Sequence, residues 1–170
     1  MENFFLTIQD FVLGLPDAIQ FLGVVAVGAI PFIESYGAAT IGIAAGIPIP
    51  VAVAAAIIGN VASVLLVVFG IAGIRSRATS GRPTGPGRET GARGGDGKRG
   101  KVAATVRRVG VPGASLLGPL VLPSQFTSAA MVGIGADRRA VAAWTSLAVA
   151  LWGLAIGLAA AGLFSAAGVI

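Results

Sequence analysis

Glu34 is the residue of this sequence best placed to do chemistry. It is one of only seven acids among 170 residues, and the one acid between Ala18 and Ile74, a stretch otherwise free of charge. A charge set at the centre of a lipid bilayer costs roughly 2.5–3.5 kcal/mol on insertion scales, so a residue kept there is kept for a purpose. A carboxyl held out of water binds and releases a proton nearer neutral pH than a solvated one. Glu34 is therefore the candidate proton carrier; the alternative is a side chain that merely reaches water at a turn.

A few other positions could share its path. Pro31 breaks the chain just before Glu34, and Asn60 sets an amide in the middle of an uncharged run. Asn60 could line a route for substrate, or bond a neighbouring helix for about 1 kcal/mol. Pro123 is followed by Gln125, Thr127 and Ser128, which could line a polar cavity or cap the backbone groups that the proline frees. Arg138 and Arg139 read as topology anchors or as partners for a substrate anion.

Other chemistry is excluded by what is missing. The chain has no cysteine and no histidine, so disulfides, thiolate chemistry and the commonest zinc and haem ligand are absent. The acids Glu2, Asp10, Asp17, Glu34, Glu89, Asp96 and Asp137 are scattered, which leaves no paired-carboxylate or metal site. No cofactor, no metal and no enzymatic activity are expected. Ala92–Arg99 resembles a phosphate loop only in its glycines, for it lacks the first glycine and a Ser or Thr after Lys98.

The elements that must position Glu34 are apolar. Hydrophobic residues make up 55% of the chain and charged ones 11%, against about 25% in a soluble domain. Lipid is the solvent this composition fits. Residues 3–15 read as an interfacial helix, with Phe4, Ile8, Phe11 and Leu15 on one face beside Val12. No Lys or Arg precedes Arg75, so this is not a secretory signal. Three apolar blocks follow, Ala18–Ile33, Ser35–Pro50 and Val51–Ile74. The third, at ~1.5 Å per residue, crosses a ~30 Å hydrocarbon core. Residues 75–108 hold ten of the twelve basic residues among Gly, Pro, Ser and Thr, and read as a disordered cytoplasmic loop. It would rest on anionic lipid headgroups; with no aromatic residue interleaved, no nucleic acid is expected. The apolar run Ala140–Ile170 is again long enough to span, with Trp144 near the interface beside Arg138 and Arg139.

The arginine pairs Arg107-Arg108 and Arg138-Arg139 flank Val109–Ala136. If both pairs are cytoplasmic, that segment must enter and return, yet it is too short for the roughly forty residues of two crossings. Pro112, Pro119 and Pro123 break it. A re-entrant hairpin satisfies both facts. Residues 18–50, broken at Pro31 and closed by Pro48 and Pro50, repeat the pattern from the other side. A shift of ninety-one lays 38–45 on 129–136 and Glu34 opposite Gln125. The expected fold is an all-α integral membrane protein of two inverted repeats, each a re-entrant helical hairpin plus a transmembrane helix, with an N-terminal interfacial helix. It forms one membrane domain over 1–170: interfacial helix 1–17, first repeat 18–74, basic loop 75–108 and second repeat 109–170. Small residues at four-residue spacing, Ala38-Gly42-Gly46, Ala55-Gly59-Ser63 and Gly153-Gly157-Ala161, let helices approach closely, and one set could serve a homodimer.

Gly28-Ala29-Ile30-Pro31, Glu34, the small-residue run to Gly46-Ile47-Pro48 and Gly59-Asn60 resemble the small multidrug export family of bacterial membrane proteins. That family looks distantly similar to the DedA or VTT superfamily, which implies paired re-entrant hairpins and inverted repeats. Ala26 and Val27 stand where the family has an acid and an arginine, and Pro123–Thr127 where it has a gly-thr-gly-ala-trp run. The Ala, Gly and Arg bias fits a GC-rich bacterial genome. The sequence thus predicts a multi-pass protein of the bacterial cytoplasmic (inner) membrane, exporting an amphipathic or cationic small molecule in exchange for protons. Its alternatives are a lipid flippase or scramblase, as the DedA-like resemblance implies, and a non-transporting scaffold.

Overall fold

The computed structural model describes residues 2–79 and 98–168. The described elements are all helical. Helix α1 (Glu2–Leu13) is followed by a 3-10 turn at Asp17–Ile19 and α2 (Gln20–Gly28); α3 (Glu34–Ala44) and the long α4 (Ile49–Thr79) complete the first half. The second half comprises α5 (Lys98–Leu117), a 3-10 turn at Gly118–Leu120, α6 (Ser124–Gly133) and the long α7 (Arg138–Ala166).

Among the described residues, two single helices are long and apolar enough to cross a membrane, Ile49–Gly70 within α4 and Arg138–Ala166. Their outward faces are built for lipid: Ile58, Leu66 and Phe69 on α4 and Leu147, Leu151, Leu154 and Leu158 on α7 are exposed. So continuous an apolar surface marks a membrane protein. The other helices are shorter, and α5, the longest of them, is kinked at Gly110. At ~1.5 Å per residue, α2 and α3 are about 14 and 17 Å long, half a hydrocarbon core each.

In the first half the short α2 and α3, parted by a break, precede the long α4; in the second the kinked α5, a break and the short α6 precede the long α7. Pro31 lies in the first break, between α2 and α3. In the second half Gly110 leaves the helical region (φ 71°, ψ −177°) and kinks α5, so that Pro112 falls at the start of a fresh helical segment where a proline ring is tolerated. The chain breaks again at Gly118-Pro119 and at Pro123, which precedes α6. Both short helices end in the same way. Gly46 (φ 83°) bonds Ile43 O while Ile47 N bonds Gly42 O at 3.0 Å; Gly135 (φ 101°) bonds Val132 O while Ala136 N bonds Met131 O at 3.0 Å. These are Schellman turns, which need a left-handed residue that glycine adopts without strain. The two turns lie eighty-nine positions apart.

Three expectations are corrected. The segment 75–108 is helical at both ends, within α4 to Thr79 and within α5 from Lys98; its middle lies outside the described residues. On α1 the buried stripe is Ile8 and Val12, and Phe4 and Phe11 are exposed. Val12 and Leu15 pack over Gly23 of α2, where a Cβ would meet Leu15 Cδ1 at 2.7 Å, which turns the phenylalanines outward. That outward face suits an interfacial helix, and α1 is bent 114° from the segment containing α2. Gly46, finally, is a turn residue with open space around it and not part of a packing stripe.

Elsewhere the small residues do bring backbones together. A Cβ on Gly59 would lie 1.9 Å from Val25 O and one on Gly28 2.5 Å from Ala56 O, so α2 and α4 touch main chain to main chain. Gly153 and Gly157 seat α7 against Ser35, Ala39 and Val53. Two apolar cores result. One joins α1, α2, α3, α4 and the end of α7 around Val24, Ile33, Ile43 and Ala56; the other joins α4, α5, α6 and α7 around Val64, Met131, Val141 and Val149.

Candidate functional site

A layer of buried polar side chains lies where the two breaks meet. Glu34 opens α3 and Ser124 opens α6. The Ser124 backbone N–H donates to Glu34 Oε1. Phe32 of the first break and Phe126 in the first turn of α6 form a tilted pair, with ring centroids 5.8 Å apart and planes 54° apart. Phe32 (φ 74°) and Glu34 (φ 56°) both hold a left-handed backbone, uncommon for residues with a Cβ. Strain of this kind costs on the order of 1–3 kcal/mol and persists where the surroundings enforce it. Here those surroundings include the facing break from the other half.

Glu34 is 1% exposed and Asn60 0%. The carboxylate has no buried basic partner among the described residues. What it does have is the first N–H of α6, at the positive end of a helix dipole. Beside it a network ties α6 to α4: Gln125 Nε2 donates to Asn60 Oδ1 at 3.0 Å and to Ser63 Oγ at 2.9 Å, and Ser63 Oγ donates to Asn60 O at 2.9 Å. Ser124 Oγ reaches Asn60 Oδ1 at 3.3 Å. The other nitrogen of this network, Asn60 Nδ2, is buried without a partner.

Of the residues singled out from sequence, Asn60 and Gln125 bond each other directly, and Glu34 joins them through Ser124. Pro123 is buried at the head of α6, and its carbonyl accepts from Phe126 N and Thr127 N at 3.0 Å. Thr127 and Ser128 are buried too, but their hydroxyls turn to backbone carbonyls, Leu122 O at 3.4 Å and Gln125 O at 3.0 Å. Thr127 thus bonds a carbonyl of the break, and Ser128 one of its own helix. Pro31 is exposed in the first break and shapes it. Arg138 and Arg139 are exposed at the start of α7, which is capped by Asp137 accepting from Ala140 N at 2.8 Å. Thr145, the polar residue of α7 nearest them among the buried ones, is about 10 Å further along the helix.

Sequence reasoning missed several contributors. Ser35 donates to Val149 O at 2.9 Å across to α7, Ser115 pairs with Thr145 at 3.2 Å, and Trp152 Nε1 donates to Leu116 O at 2.9 Å. Their signal was an isolated hydroxyl or indole in an apolar helix. That signal is weak, since a serine or threonine in a helix often bonds its own preceding turn.

No protein-family model matches the chain, and no curated protein or solved structure matches it.

Proposed function

We propose that the chain is a small transporter of the bacterial cytoplasmic membrane that moves an amphipathic small molecule in steps coupled to protonation of Glu34. The observation behind this reading is the Glu34 carboxylate held by the Ser124 N–H, where broken segments from the two halves meet. In this reading α2–α3 and the α5–α6 pair are re-entrant hairpins that enter from opposite faces, and α4 and α7 are the spans. Irregular backbone at membrane depth is tolerated when covered by protein or lining a cavity, and transporters with inverted repeats set their sites where such broken helices meet. The ionised carboxylate holds the two tips together by a charge-assisted hydrogen bond. Protonation weakens that bond and frees the tips to part. The basic segment faces the cytoplasm, against anionic headgroups.

Purified protein in liposomes with an imposed pH gradient tests the proposal, with internal pyranine reporting pH and either ethidium or anilinonaphthalene sulfonate as the amphiphile. One of the two should speed dissipation of the gradient beyond protein-free liposomes, and Glu34→Gln should abolish the gain. Dissipation equal in wild type, Glu34→Gln and protein-free liposomes would overturn it.

A second reading, lipid flipping or scrambling, is favoured by a different feature. A cleft of about 580 Å³ bordered by Asp17, Gln20 and Gly46 shares Phe21 and Val51 with an apolar groove of about 520 Å³ along α2 and α4. Polar side chains border the first and apolar ones the second, as a lipid head and tail would require, and no residue of the Glu34 cluster lines either. Fluorescent-lipid exchange between leaflets without any ion gradient separates this reading from proton-coupled transport.

A further inference from the structure

Asn60 Nδ2 is a buried donor that lacks an acceptor. The oxygen of the same planar amide takes Gln125 Nε2 and Ser124 Oγ, so the amide stands against the first turn of α6. Turning Asn60 over alone does not cure the deficit, for its nitrogen would then face the donor Gln125 Nε2. An unsatisfied buried donor is expensive. At the head of α6 the Ser124 N–H is also a donor, already matched by an anion tethered to the protein, the Glu34 carboxylate. The Asn60 nitrogen still lacks an acceptor, and the helix end favours a negative one.

We propose that the N-terminus of α6, with the Asn60 amide beside it, is a seat for the oxyanion head of a small amphiphile, and that the Glu34 carboxylate is the built-in occupant which such a head replaces. This deepens the transport reading and rests on it for coupling. Glu34 gives up the Ser124 N–H when it takes a proton, so the anion binds as the proton does. The charge of the cluster is then unchanged, since the head brings one negative charge and the proton removes one. From sequence an amphipathic or cationic substrate was expected; donors around the seat turn the choice to an anion.

The test uses the full-length Glu34→Ala protein in detergent and follows thermal unfolding in sodium formate against sodium chloride at equal ionic strength. Formate should raise the midpoint of Glu34→Ala by several degrees and leave the wild type where chloride leaves it. Adding Asn60→Leu to Glu34→Ala should remove the formate effect. If Glu34→Ala does not fold, Glu34→Gly replaces it, because glycine suits the backbone φ of 56° at that position. Formate acting no better than chloride on the folded variant overturns the seat. A formate effect that survives Asn60→Leu overturns the part assigned to Asn60. The liposome assay fails independently: a formate effect without proton movement keeps the seat and removes the transport reading, and proton movement without a formate effect does the reverse.

Discussion

At Glu34, burial and backbone conformation act together. A carboxylate with 1% exposure needs strong donors, and its strained φ of 56° aims it at the facing helix end rather than along its own helix. The neighbouring amides carry a more ordinary load. Gln125→Ala removes two bonds to α4, at 3.0 and 2.9 Å, and leaves Asn60 with one weak donor at 3.3 Å. The expected loss is about 1–2 kcal/mol, measured by unfolding in mixed micelles with increasing SDS. Ser35→Ala removes a single bond to Val149 O and should cost less, about 0.6 kcal/mol. An equal loss from the two variants would argue against the network. Glu34, Asn60 and Gln125 were legible as candidates because each is polar in an apolar or proline-broken context. That Ser124, and not Gln125, meets the carboxylate could not be read, since it depends on where α6 begins relative to α3.

The helices are joined by contacts that tolerate no added atom at a few points. Gly59→Ala would set a Cβ 1.9 Å from Val25 O and force α2 away from α4. A destabilisation of about 1–3 kcal/mol or more is expected, as in overpacked cores. Gly70 lies on the same helix with nothing within 4 Å, so Gly70→Ala should instead stabilise by about 1 kcal/mol through helix propensity. Gly46→Ala meets no clash but must adopt φ 83°, at a cost of about 1–2 kcal/mol. The three variants, compared by thermal unfolding in one detergent, should rank Gly70→Ala above wild type and Gly59→Ala lowest. Four-residue spacing made the α4 and α7 glycines legible as packing sites. It misread Gly46, because spacing along a chain does not distinguish the last packing position of a helix from the residue that ends it.

For the molecule as a whole, the proposed inverted hairpins make a topology prediction. The natural chain has no cysteine, so Asp10→Cys, Pro50→Cys, Thr90→Cys, Arg138→Cys and Gly168→Cys can each be labelled without background. Positions 10, 50 and 168 should react from outside intact cells, and 90 and 138 only after permeabilisation. Labelling of 90 and 138 from opposite faces would remove the inverted-hairpin arrangement, though not the buried contact between α3 and α6.

Sequence alone determined the solvent and the list of parts. Hydrophobic runs without charge specify helices that cross lipid, and prolines specify where helices stop, because both effects act within a few residues of the chain. The end of each short helix and the partner of the carboxylate were decided by tertiary structure. The backbone contact of Gly59 with Val25 and the two glycine turns follow from how the helices lie together. Contact between residues ninety positions apart is a property of packing, which no local pattern encodes.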